Sequence, residues 1–300
     1  MPTLNEIIEE KLARLEGVPD TLESAVIRVQ RQLYRELLEQ TNRFTVTSGN
    51  IDRTTENIAK IEQIVNQIEQ NALSGDYIKA ITQYAKEYNT QKGLNNKIIG
   101  DVEPEDFYNK IVSEAQKGAV EALTGEQVAG QVLTPLKDML LQNVTTGGKL
   151  SELIKELKYF AEGTEQFDGK LLKYVKSIAR DAFATSDRAY TEAVAVDYGF
   201  KYYKYKGGLI KDTRCFCFER VNGIYHIGEI RDWGAKPDLW NCGNKKIKGG
   251  GRRQGTNSST IFSYLGGYNC IHSLIPVSTV DVPEDVKART AKFEEAENNI

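Results

Sequence analysis

Apolar residues recur at steps of three and four through most of the first 199 positions, the spacing that aligns side chains on one face of a helix. Leu4, Ile7, Ile8, Leu12 and Leu15 make a first stripe. Gly17 and Pro19 interrupt it, one a common helix stop and the other unable to continue a helix, so the spacing predicts a break there. Leu22, Val26, Val29, Leu33 and Leu37 make a second, longer stripe, with Arg28, Arg31, Arg35, Glu36 and Glu39 largely off it. After a loop at Ser48-Gly49-Asn50, the positions Ile58, Ile61, Val65, Ile68 and Ala72 predict a third helix. These stripes are narrow for such polar segments. A narrow stripe fits an arm laid on a partner, or self-association, as well as it fits a hairpin packed on its own domain.

Helical period continues from Asp76 to Gly199. A capping box at Thr124-Gly-Glu-Gln127 predicts a helix through Val128, Val132, Leu136 and Leu140, which Pro135 should kink. Leu150, Ile154 and Leu157 open another, and a last helix runs from about Lys170 to Tyr198. Past Gly199 the pattern changes to short β-prone runs at 200–205, 223–226 and 260–264. Between the last two, Cys242 to Ser259 is rich in Gly, Lys, Arg, Asn and Ser and reads as a long exposed loop. The fold class predicted is α+β: an extended helical arm (1–72), a helical body (73–199), a small Cys/His/Trp-rich module (200–280) and a charged tail (281–300).

Composition adds limits. The net charge of −3 argues against a general nucleic-acid coat, so any DNA contact has to come from a local patch. No apolar run is long enough to span a bilayer, and the acidic N-terminus lacks the apolar core of a signal peptide. A reducing cytoplasm is therefore expected, where cysteines serve as thiols or metal ligands rather than in disulfides.

All four cysteines, both histidines and both tryptophans fall between Cys215 and His272. Cys217, Cys270 and His272, with Cys215 as a fourth, are soft ligands suited to a structural zinc. Because C-x-C and C-x-H are not the usual C-x₂-C ligand pairs, the spacing favours the other reading, a packed core of small thiols and one satisfied imidazole. Asp212 and Arg214, beside Glu219 and Arg220, read as a buried ion pair fixing a turn, or as part of a reactive site. Trp233 and Trp240 read as core anchors. Lys245, Lys246, Lys248, Arg252 and Arg253 form the one dense basic cluster, a candidate DNA contact or a solvated loop. A hydrolytic alternative would gather Asp212, His226 and His272 around an ion, but no H-x-E or H-E-x-x-H pair supplies the usual general base.

In order along the chain, Asp212, Arg214, Cys217, Arg220, Gly223, Glu229, Trp233, Trp240, Gly266, Gly267, Asn269, Cys270, His272 and Pro276 match the C-terminal signature of the Mu F-like head morphogenesis proteins. The chain resembles that family over roughly residues 170 to 280, including the helical approach SIARDAFATSDRAYTEAVAVDYGF. It departs at Ile271, where arginine is common, and in the extra Cys215 and Cys242. The resemblance implies a minor head protein of a tailed bacteriophage, not an enzyme, made in the host cytoplasm and carried in the virion near the portal vertex. The partners implied are the portal, the major capsid protein or the scaffold, with packaged DNA close by.

Overall fold

The structure, a computed structural model, describes residues 2–241 and 249–298. The helices are α1 (Leu4–Thr41), α2 (Thr55–Asn71), α3 (Gly75–Ile99), α4 (Asp106–Leu123), α5 (Gly125–Val128), α6 (Thr134–Thr146), α7 (Leu150–Ala161) and α8 (Lys170–Asp197), followed by the shorter α9 (Cys215–Phe218), α10 (Ile227–Gly234), α11 (Ile261–Tyr264) and the C-terminal α12 (Glu284–Asn298). A two-residue hairpin pairs β1 (Val46–Thr47) with β2 (Asn50–Ile51). Strands β3 (Tyr202–Lys206), β4 (Ile224–His226) and β5 (Ser273–Val277) form an antiparallel sheet in the order β4-β3-β5. The α+β class holds, with helix dominant. No described helix is long and apolar enough to cross a membrane.

Two compact units interleave along the chain: one holds residues 1–17, 87–116 and 180–300, the other 18–86 and 117–179. All four crossings between them fall inside helices (α1, α3, α4 and α8), so the division into arm, body, module and tail does not describe the fold. The boundaries fall within helices rather than in the polar, Pro/Gly-rich linkers that mark domain edges in a sequence.

The break expected at Gly17 and Pro19 is absent, because α1 runs through both. Only one intrahelical bond is lost at a proline, and buried residues on either side, Leu15 and Leu22, hold the helix to its course. The break signal does mark a boundary, since the chain passes from one unit to the other between Gly17 and Val18.

In the unit of 18–86 and 117–179, the second stripe is interior. Leu33 and Leu37 of α1 join Ile61, Ile64 and Ile68 of α2, Leu136 and Leu140 of α6, and Leu153 and Leu157 of α7 in one core cluster. The expected arm is thus half of a core, and its stripe is covered by its own chain. Thr54 caps α2 by accepting from Asn57 N. The buried Asn57 amide in turn bonds the backbone of Thr45 and Asp52 and so fixes the hairpin. The capping box at Thr124 does not form, because the Thr124 hydroxyl donates to Val120 O instead. A π turn at Ala129–Leu133 replaces the expected kinked helix. It widens the backbone just before Pro135, which then sits in the first turn of α6, where its missing N–H is not needed.

In the other unit the sheet carries the module. Residues 260–264, expected as strand, form α11 instead, and β5 was missed because Pro276 sits within it. The charged tail is the helix α12, which lays Val286 and Thr290 on the sheet; Tyr202 Oη meets Thr290 Oγ1 and donates to Glu294. On the other side, α1 and α3 close around α8 through a buried polar knot. Lys11 Nζ pairs with Asp187 at 3.2 Å, and Asp187 also accepts from Gln91, Asn95 and Ser273. Burial pulls the Lys11 ammonium below its ordinary range, with Asp187 opposing the shift.

Candidate metal centre

Strand β3 ends at Lys206, and its register pairs Tyr205 with Leu274 of β5, two residues after His272. This brings Tyr205 and His272 together at one end of the sheet, their rings 5.4 Å apart. The short helix α9 carries Cys217 to the same place, and the turn after α11 carries Cys270. Cys217 Sγ and Cys270 Sγ lie 3.8 Å apart, and Cys270 Sγ is 3.7 Å from His272 Nδ1. All three residues are buried, and their ligand atoms lie within 4.8 Å of one another. Residues 53 apart in sequence thus meet, as either reading of the sequence requires.

The Cys217–Cys270 and Cys270–His272 separations fit a tetrahedral ion. Zinc–sulfur bonds of about 2.3 Å at a tetrahedral angle set sulfurs about 3.8 Å apart, and a sulfur and an imidazole nitrogen about 3.6 Å apart. A disulfide would need about 2.0 Å, so the pair is a dithiol. The two thiols affect one another's ionisation in opposite directions. The hydrogen bond from Cys217 holds the Cys270 thiol well below its ordinary range against the opposing effect of burial, with His272 and Arg188 helping. That same bond, together with burial, pushes Cys217 up.

Two glycines make the space. A Cβ on Gly266 would lie 2.2 Å from Cys217 Sγ, and one on Gly207 would lie 2.6 Å from His272 Cδ2. Arg188 of α8, fully buried, binds the ligand segment from behind. Its Nε donates to Ser263 O, and its Nη1 to Cys270 O at 2.8 Å and His272 O at 3.1 Å. Sequence reasoning missed Arg188 and Tyr205. The available signal for Arg188 was its helical spacing from the buried Val175, Ala179 and Ala184 of α8, which puts a charged residue on the covered face.

Cys215 is not a fourth ligand. It is disulfide-bonded, contrary to the expectation of four reduced thiols, and its sulfur touches Trp240 O at 3.6 Å without a proton to donate. Asp212 is exposed and forms no ion pair among the described residues, which corrects the expected Asp212–Arg214 bridge. Arg214 instead donates to Gly266 O and Tyr268 O, both 2.8 Å, because the turn carrying Cys270 presents its carbonyls there. Arg220 stacks over Phe216 and Trp233 and donates to Phe216 O. Trp240 lies flat on Phe216, centroids 4.2 Å apart, and Trp233 packs edge-on to Phe216 and Tyr225, so both tryptophans are core anchors. Gly267 packs against the backbone of Gly251, and Asn269, in a left-handed conformation, donates its N–H to Asp181.

Of the basic cluster, Lys245, Lys246 and Lys248 lie outside the described residues, as does Cys242. Arg252 is turned inward to Gly234 O and lies over Trp240, and Arg253 pairs with Asp181. The described end of the expected exposed loop is thus anchored to the fold. His226, named in the hydrolytic alternative, caps α10 through Nδ1 and packs against Tyr202 and Phe293. Among the described residues, the one cluster of ligand side chains is Cys217, Cys270 and His272, without Asp212 or His226.

Comparison with known proteins finds no family model, curated protein or solved structure that matches this chain.

Proposed function

We propose that this chain is an assembly protein of a tailed-phage head, a minor head protein that works by folding and docking rather than catalysis. We propose also that Cys217, Cys270 and His272 hold a structural zinc ion. One observation carries the reading: most of the residues that bear the family resemblance are interior and engaged with one another. Cys217, Trp233, Trp240, Cys270 and His272 are buried, while Arg214 and Arg220 bind backbone carbonyls within the same module. A motif used in this way favours a shared scaffold over a reactive cleft. The structural ion fits a module with only a three-stranded sheet, since a metal that ties distant residues adds its binding free energy to folding.

The partners under this reading are the portal, the major capsid protein or the scaffold, and the location is the capsid interior or portal vertex. Any DNA contact falls to Lys245, Lys246 and Lys248, because Arg252 and Arg253 serve the fold. The test is to co-express the full chain with the portal and capsid proteins of its own genome and to sediment the particles. Co-sedimentation at low copy number is expected, and absence from particles assembled in its presence would sink the assembly reading. Metal analysis of untagged protein tests the ion separately, with about one zinc per chain expected. No observation favours the hydrolytic alternative, but plasmid cleavage with added divalent metal, lost in Asp212→Ala and His272→Ala, would replace the assembly reading with it.

A further inference from the structure

Two sulfurs and one imidazole leave a tetrahedral ion one corner short, and structural zinc sites have four protein ligands. With Cys215 in a disulfide, the fourth has to come from elsewhere. An oxygen in contact with the cluster is the phenol of Tyr205. Its Oη lies 3.3 Å from Cys217 Sγ and has no other partner among the described residues. Oxygen and sulfur ligands on a tetrahedral zinc stand about 3.5 Å apart, so the phenol already sits near ligand separation. The ring is held in place by Phe216, Trp233 and His272, which limits its freedom to swing toward any other partner.

We infer that Tyr205 Oη is the fourth ligand, so that the centre is a closed S2NO site for a zinc-like divalent ion. This inference rests on the metal reading above. On binding, the phenol and the two cysteines give up their protons to solvent and the oxygen donates a lone pair to the ion; nothing is oxidised or reduced.

The test uses the full chain, stripped by chelator and reloaded with Co²⁺ or Zn²⁺ alone, as wild type and as Tyr205→Phe, which keeps the ring packing and removes only the oxygen. In wild type the visible cobalt spectrum should be four-coordinate and indifferent to added thiocyanate. In Tyr205→Phe the ion should remain on the two sulfurs and the imidazole with water in the fourth place. Its spectrum should then shift on adding thiocyanate, and its zinc affinity should fall by at least the roughly 10-fold that loss of an outer-shell partner costs. As a reading that does not depend on the variant's folding, adding zinc to stripped wild type should raise the near-ultraviolet difference band of tyrosinate. Wild-type protein that binds ion with no tyrosinate band, or a variant with unchanged spectrum and affinity, overturns the Tyr205 assignment while leaving the three-ligand site standing. Wild type that binds neither metal overturns both.

Discussion

Cys270 shows what a single atom contributes here. Replacing it with serine should abolish cooperative folding and metal content together if the ion is structural, because ligation and folding are then one event. A thiol that only packs would lose roughly 1–3 kcal/mol and leave a melting transition, so calorimetry with metal analysis separates the two. Gly266→Ala tests the same centre sterically: a methyl 2.2 Å from Cys217 Sγ forces the sulfur away. We expect destabilisation of about 1–3 kcal/mol and loss of bound metal, read by melting and elemental analysis. Glu192 gives a pH test away from the centre. Burial raises its carboxyl to about 7, with Arg231 opposing. The folded state then keeps a proton that the unfolded chain releases near about pH 4.3, so stability falls as pH rises from there to about 7. Denaturant titrations across that window should show the fall, on the order of 1–3 kcal/mol, and Glu192→Gln should flatten it. Cys217, Cys270 and His272 were legible from sequence because soft ligands are scarce and their clustering stands out. Tyr205 was not, since a tyrosine in a β-prone run looks like any other core aromatic. The state of Cys215 was hidden as well, because sequence spacing does not fix which sulfurs pair.

Among the elements, α1 departs most from expectation. Its second stripe, Leu22, Val26, Val29, Leu33 and Leu37, is buried as its spacing predicts, while Leu4 at the start of the first is exposed; periodicity says only which face is covered, not by what. Leu33 and Leu37 are covered by α2, α6 and α7, and Lys11 lies against α3 and α8. Deleting residues 1–72 should therefore leave protein that aggregates without a melting transition, whereas a detachable arm would leave the melt intact. A milder cut isolates the polar knot. Lys11→Met removes the cation from Asp187 and should cost about 3–5 kcal/mol, the penalty of a buried charge left alone. The double variant with Asp187→Asn should recover part of that loss in a chemical denaturation cycle. Strands β3 and β4 were legible from their aromatic and β-branched runs. The α11 turn was not, because Thr260 to Tyr264 has β propensity that its tertiary setting overrides.

For the molecule as a whole, the interleaving of the two units is the part least visible in the sequence, because long helices cross between them without a change in composition. A fragment of residues 200–300 keeps the three ligands but lacks Arg188, Asp187 and the Lys11, Gln91 and Asn95 side chains that bind Asp187. It should show neither sheet structure nor tight zinc binding, and a folded, metal-loaded fragment would contradict the interleaved division. The proposed DNA contact is also tested at this scale. Arg252→Ala with Arg253→Ala should lower the melting temperature yet leave the salt slope of DNA binding unchanged, whereas neutralising Lys245, Lys246 and Lys248 should reduce that slope by up to about three units. The order of the chain carries one more consequence, in the timing of synthesis. The unit of 18–86 and 117–179 is complete once residue 179 has left the ribosome, but the other cannot close until β5 emerges nearly a hundred residues later. Residues 1–17, made first, must wait with Lys11 unpaired while their neighbours fold, so the nascent protein passes through a stage in which one half is finished and the other is held open at its very beginning.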